Sequence, residues 1–172
     1  MQEILKELGQ LNATLSEAEV NQFADVLLTS YGKKIVGLGA GRMGYSLQAF
    51  MMRLSHLGFK SFMIGDTALP RIGPEDIVVV NSSSGETPTI LLLTQIAKNN
   101  GASILAITKN RSSSLASLAD YQIVYGDIET SQMMKTIYEQ FSFLLFDLIA
   151  CKLAKNVPLS IEQIEKNHSV LE

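Results

Sequence analysis

Five short apolar runs recur along the chain, separated by stretches with helical spacing: Lys34 to Leu38, Ser61 to Ile64, Ile77 to Val80, Ser103 to Ile107 and Tyr121 to Val124. Strand-length runs alternating with helical segments are the rhythm of βαβ units. Because these runs are nearly continuously apolar, both faces of the resulting sheet are expected to be covered by helices. The pattern predicts an α/β fold: a five-stranded parallel sheet flanked by helices, in three layers.

The segments between and around the strands carry their own signals. A helical N-terminal segment is expected over about residues 1–30, with Ser16 and Glu19 forming a capping box and Val20, Phe23, Ala24, Val26 and Leu27 at helical spacing. Between the first two strands Leu47, Phe50, Met51, Leu54 and Leu57 form one stripe, while Tyr45, Met52 and His56 lie roughly opposite and predict a second buried face. Gln132 to Lys155 reads as one helix, apolar almost all round in its second half. That is more apolar surface than a monomer of this size buries, so a homo-oligomer, dimer or tetramer, is expected through this helix and the one carrying His56. Pro70, Gly73 and Pro74 mark a turn before the third strand, and a closing C-terminal helix is expected over about residues 160–168.

Composition narrows the reading. The 172 residues, 47% hydrophobic and 18% charged, suit a single domain spanning 1–172 with a substantial core. A net charge of −3 with no Lys/Arg-rich run offers no footprint for nucleic acid or an anionic membrane, so any anion must be bound locally. Phe141 to Ala154 is the most apolar stretch, but it falls short of the ~20 residues a membrane span needs and contains Ser142, Asp147 and Lys152. The N-terminal ten residues carry Glu3, Lys6 and Glu7, which no export signal would place in its apolar core. Cys151 is the only cysteine, which points to a reducing cytoplasm, and its neighbours Ala150 and Leu153 predict a packed thiol.

Two glycine- and hydroxyl-rich loops could carry chemistry. The first strand runs into Gly39, Gly41 and Gly44, a G-x-G-x-x-G spacing, with Arg42 inside it and Asp66 after the second strand where a ribose-binding acid would stand. Both a dinucleotide site and a tight turn packing strand on helix fit this pattern, although no catalytic domain accompanies it. The third strand ends in Asn81, Ser82, Ser83, Ser84, Gly85, Glu86 and Thr87, followed by Pro88 and a helical run. Hydroxyls at a strand's carboxyl end beside a helix start form a cradle for a phosphate dianion, whereas an N-cap alone would need only one of them.

The segment Asp76 to Thr87 resembles the phosphosugar-binding segment of SIS-domain proteins. Further stretches resemble the 6-phospho-3-hexuloisomerase branch: Gly39 to Arg42, Met52 to Gly58, Gly65 to Thr67, Leu118 to Asp120, Tyr138 to Gln140 and His168 to Glu172. The resemblance implies a flavodoxin-like SIS fold and interconversion of 3-hexulose 6-phosphate with fructose 6-phosphate through an enediol. It further implies no metal or redox cofactor, and a tetramer or dimer with shared active sites. The phosphosugar ligands it implies are Gly41, Arg42, Ser82, Ser84, Gly85, Glu86, Thr87 and Gln132.

Glu139 is the candidate general base, since desolvation in an apolar helix is expected to raise a carboxyl's pKa; the alternative is a solvated pair with Lys135 one turn earlier. His56 and His168 are candidate helpers in ring opening or carbonyl polarisation. The chain departs from the resemblance at Met43, where the family carries Ser, at Gln132 to Lys135 in place of Gln-Pro-Met-Gly, and at Asn81 and Ser82 in place of Gly-Ser. A different phosphosugar, or a non-catalytic phosphosugar-binding module, are the alternatives these departures leave open.

Overall fold

The apolar runs pair into one five-stranded, all-parallel sheet in the computed structural model, which describes residues 1–168 and 170. Positions 169, 171 and 172 of the terminal stretch singled out above lie outside the described residues. In chain order the elements are α1 (Gln2–Thr14), α2 (Glu17–Thr29), β1 (Lys34–Gly39), α3 (Gly41–His56), β2 (Lys60–Met63), β3 (Ile77–Asn81), α4 (Pro88–Asn99), β4 (Ser103–Thr108), α5 (Ser114–Leu118), β5 (Tyr121–Val124), α6 (Ile137–Ala154) and α7 (Ile161–Lys166).

Alternation along each strand divides the core into two layers. Ile35, Ile77, Val79, Leu105 and Ile107 face α2, α3 and α6, where Phe23, Leu27, Leu47, Phe50, Leu145 and Phe146 meet them. Val36, Val78, Val80, Ile104 and Ala106 face the opposite side, under Ile90, Ala97 and Leu115 of α4 and α5. With both faces covered, the uninterrupted apolar runs have their explanation. Phe50 of α3 stacks on Phe146 of α6 at 4.7 Å, joining the two helices that share the first face.

The strand order is β2-β1-β3-β4-β5. Chain direction across the sheet therefore reverses between β1 and β3, and the crevice outside their carboxyl ends is where open α/β sheets bind ligands. The register sets Gly39 opposite Asn81, so both loops singled out in the sequence leave the sheet at the same level.

Several expectations change. Ser16 caps α2 by accepting the Glu19 N–H at 3.3 Å, but the box is not reciprocal: the Glu19 carboxylate instead accepts the Val124 N–H at 2.9 Å and pairs with Arg111 at 2.5 Å. The helix expected from Gln132 begins only at Ile137, because Met134 and Lys135 stand in the left-handed region at φ 55° and 57° and stop it. Tyr45 and Met52 are exposed on α3, so within one protomer only His56 of that second face is buried. Cys151 is exposed as well, since the 144–148–151 spacing sets it on the outward stripe of α6.

The glycine turn is built for contact. A Cβ on Gly44 would stand 2.7 Å from the Gly39 carbonyl oxygen, and one on Gly39 would stand 2.9 Å from the Gly44 Cα. Gly44→Ala is expected to destabilise the fold by about 1–3 kcal/mol, because the obstructing atoms are backbone and cannot turn aside. Urea unfolding measures this, and an unchanged midpoint would show that α3 can move off β1 at no cost.

Candidate active site

A cavity of about 310 Å³ opens at the reversal point, with walls from four parts of the chain. Ala40 and Met43 come from the junction of β1 and α3, Asn81 to Ser84, Thr87 and Ile90 from the end of β3 through the first turn of α4, Lys109 from just past the end of β4, and Met134, Lys135, Tyr138 and Glu139 from the turn before α6 and its first turn. The first three groups sit at the carboxyl ends of strands, where the sheet fixes their backbone, and the fourth at the entry to α6.

The loop after β3 leaves donors facing the cavity. Thr87 is the N-cap residue of α4 yet makes no side-chain cap, and Pro88 occupies the first turn. The first-turn N–H groups that follow carry the positive end of the helix dipole. Backbone N–H groups of Ser83, Ser84 and Thr87 make no hydrogen bond among the described residues. Gly85 holds the loop's reversal at φ 68°, and its own N–H reaches the Ser82 carbonyl at 3.1 Å. It packs against Ser113, where a Cβ would come within 2.4 Å of the hydroxyl, and so it lies behind the cradle.

Asn81 is fully buried at the base of this loop. Its Nδ2 donates to the Met43 carbonyl at 3.0 Å and to Ser46 Oγ at 3.2 Å, and its Oδ1 accepts from Ser142 Oγ at 3.4 Å. One amide thereby joins β3, α3 and α6.

Glu139 lies in the first turn of α6 and its side chain is 20% exposed. Its partner is Arg42, which reaches across from the β1–α3 turn, while Lys135 stands 3.6 Å from Asp127 instead. The largely apolar surroundings expected for this carboxylate are thus replaced by an ion pair with Arg42 at the cavity mouth. Lys109 also pairs with Asp127 and sits over the Tyr138 ring at 5.1 Å from its centroid. The Tyr138 hydroxyl donates to the same carboxylate. Hydrogen bonds from Lys109 and then Tyr138 hold Asp127 down at about 2, and burial followed by the Asp127 carboxylate pushes Tyr138 up to about 12.

Of the residues singled out in the sequence, Ser82, Ser84, Thr87 and Glu139 line the cavity, with Arg42 at its edge on Glu139 and Gly41 at the turn before it. Glu86 turns away: its carboxylate accepts the Ser114 N–H at 2.8 Å, and that bond, with help from the Ser114 hydroxyl, keeps it below the usual carboxylate range. Gln132 does not line the cavity, because its amide donates to Glu7 of α1 at 2.9 Å. His56 and His168 are brought together, ring centroids 5.1 Å apart. They stand at the far end of α3, a 16-residue helix, about 22 Å from the glycine turn at 1.5 Å per residue. Asp66 accepts the Met63 N–H at 2.7 Å, a turn contact that leaves the dinucleotide reading without its acid.

Glu7 itself went unnoticed in the sequence. Buried on α1, it accepts from Thr130 Oγ1 at 2.8 Å, the Ser131 N–H at 3.0 Å, Ser131 Oγ at 3.2 Å and Gln132 Nε2, and so ties α1 to the segment leading into the cavity wall. Lys109 and Asp127 were missed too, and only the position of Lys109 at the carboxyl end of a strand could have marked it.

Residues 29–150 match the SIS domain family. The chain is 34% identical to the 3-hexulose-6-phosphate isomerase of Bacillus subtilis (strain 168), over 99% of this chain and 96% of that protein. It is also 34% identical to the 3-hexulose-6-phosphate isomerase of Methanocaldococcus jannaschii, over 79% of this chain and 76% of that protein. Among solved structures, a Methanococcus jannaschii protein whose structure infers a molecular function of 3-hexulose-6-phosphate isomerase superposes with a TM-score of 0.85 at 29% identity, covering 99% of this chain and 98% of that one.

The bonds from Gln132 first, then Ser131 and Thr130, lower Glu7 from 4.5 to about 2 against an opposing effect of burial. A carboxylate depressed in the folded state stabilises it fully above its unfolded pKa, and that stability is lost as pH falls. Stability is therefore expected to decline from about pH 4.5 towards pH 2 partly through this group. Glu7→Gln should lower the urea midpoint at neutral pH and flatten the acid limb; parallel limbs for parent and variant would remove Glu7 as its source.

Proposed function

This chain belongs to the SIS domain family, and from that premise we propose that it is a sugar-phosphate isomerase interconverting 3-hexulose 6-phosphate and fructose 6-phosphate. The observation that carries the reading is the meeting, in one cavity, of a hydroxyl and N–H cradle suited to a phosphate dianion with a carboxylate suited to proton abstraction. The two named isomerase relatives at 34% identity support the substrate.

Ser82, Ser84 and Thr87, with the N–H groups of the loop and of the start of α4, hold the phosphate. Glu139 removes the proton from the second carbon of the open-chain 3-hexulose, leaving a 2,3-enediol, and returns it to the third carbon as the carbonyl forms at the second. Arg42 aims Glu139, and the cation gives way to the sugar as it enters. The reaction moves one carbonyl along the chain and leaves the oxidation state of the whole molecule unchanged.

The protein works as a homo-oligomer. Leu5, Tyr45, Phe143 and Leu144 are exposed around an apolar hollow of about 550 Å³ that adjoins Arg42 and Glu139, and a second copy covering it would close the site. His56 or His168 from a neighbouring subunit then reaches the cavity to assist opening of the sugar ring, which neither does within its own protomer. No helix among the described residues is long and apolar enough to cross a membrane, and the single cysteine fits a cytoplasmic setting.

Replacing the base tests the reading. Glu139→Gln preserves shape, so turnover is expected to fall about a hundredfold to ten-thousandfold while sugar-phosphate binding survives. Ser84→Ala and Thr87→Ala should instead raise KM with kcat largely kept. A Glu139→Gln variant with near-parental kcat would eliminate Glu139 as the base. Tight sugar-phosphate binding without turnover by the parent, across hexulose, pentulose, heptulose and amino-sugar phosphates, would favour the binding-module alternative.

A further inference from the structure

Taking a proton from the carbon beside a carbonyl drives an electron pair onto the carbonyl oxygen, and in a cavity shielded from water that oxyanion needs a positioned donor. The two histidines that could polarise the carbonyl lie at the far end of α3 within the protomer. The cavity's own cations are Lys109 and Lys135. They differ in how firmly each is held.

Lys135 stands on the left-handed turn before α6, its side chain 56% exposed and 3.6 Å from Asp127. Lys109 is only 17% exposed. Its backbone N–H is bonded to the Ser83 carbonyl at 3.0 Å, which sets its Cα beside the cradle, while its ammonium leans away to Asp127 and the Tyr138 ring. Tyr138 is the immediate neighbour of Glu139. No hydrogen bond or ion pair joins the ammonium to Ser82, Ser84 or Thr87 among the described residues. The charge is thus anchored on the wall of the base and not on the wall of the phosphate.

We propose that Lys109 is a catalytic residue of the isomerisation, its ammonium receiving the substrate's carbonyl oxygen and stabilising the enediolate. The inference rests on the isomerase reading above. As Glu139 takes the proton, the former C–H pair becomes the carbon–carbon double bond and the carbonyl π pair moves to the oxygen that Lys109 hydrogen-bonds. The proton of the adjacent hydroxyl passes to that oxygen, the new carbonyl forms where the hydroxyl stood, and Glu139 returns its proton to the old carbonyl carbon. Asp127 is a positioning residue: it accepts from both Lys109 and the Tyr138 hydroxyl, and it stays ionised at any working pH. A donor already held in place reorganises little as charge develops, which is the condition under which such stabilisation counts most.

The test compares the full-length parent with Lys109→Met and Lys109→Arg, measuring kcat on 3-hexulose 6-phosphate and, by calorimetry, the Kd of fructose 6-phosphate. For Lys109→Met, kcat is expected to fall about 10²–10³-fold with Kd within about threefold of the parent. Lys109→Arg keeps the charge and the Asp127 pair but displaces the donors, so kcat should fall about tenfold or more; it decides the question if the Met variant does not fold. A kcat in either folded variant within about threefold of the parent overturns the proposal, as does a loss of fructose 6-phosphate affinity with kcat kept at saturation, which would make Lys109 a phosphate ligand. A parent inactive on every hexulose phosphate removes the isomerase reading and this inference with it, whereas an active parent with an unaffected variant removes this inference alone.

Discussion

The cavity depends on one buried amide. Asn81 has no exposed surface, and its three hydrogen bonds reach the carbonyl of Met43, the hydroxyl of Ser46 and the hydroxyl of Ser142. A buried amide left without partners costs about 1–3 kcal/mol, so the β1–α3 turn, the end of β3 and α6 are held in the one arrangement that satisfies it. The cradle hangs from the residues after Asn81, Arg42 from the turn it fixes, and Glu139 from the helix it reaches through Ser142. A shift of any of these elements would break the network before it widened the cavity.

Sheet order then decides what the cavity can do. Because the chain reverses direction across the sheet between β1 and β3, two loops part at their carboxyl ends and leave a crevice that an unbroken strand order would have closed. Helix α6 closes it from above, and its first turn brings a carboxylate to the mouth. The approach to α6 is itself constrained. Met134 and Lys135 are both left-handed, a conformation costing a non-glycine residue about 1–2 kcal/mol. Glu7 holds Thr130 to Gln132 just upstream, and the Lys135–Asp127 pair holds the turn from the other side. The N-terminal helix thereby acts on the site without touching it.

How far the sequence foretold this follows from the range of each interaction. Strands and loops were legible because they are written locally: Ile77 to Val80 is apolar without interruption, and the hydroxyls of Ser82 to Thr87 sit in one run. The start of α6 was misplaced because the left-handed turn at Met134 and Lys135 has no glycine to announce it. Gln132 was placed among the phosphosugar ligands by the resemblance, yet its partner, Glu7, lies 125 residues away. The same holds for Arg42 and Glu139, separated by 97 residues, and for Lys109 and Asp127, which no spacing links. His56 was read correctly as a residue apart from the main stripe of α3, but periodicity gives a face and not a distance along the helix, so its remoteness from the glycine turn within one protomer was invisible.

Catalysis in this cavity turns on where the carbon-bound proton is removed. Incubating the protein with fructose 6-phosphate in heavy water and following the sugar by proton and carbon NMR reads this directly. A 2,3-enediol formed in the cavity predicts deuterium at the third carbon of recovered fructose 6-phosphate, with the first carbon unlabelled. Label at the first carbon and none at the third would mean a 1,2-enediol and an aldose–ketose shift, and would contradict proton abstraction at the third carbon.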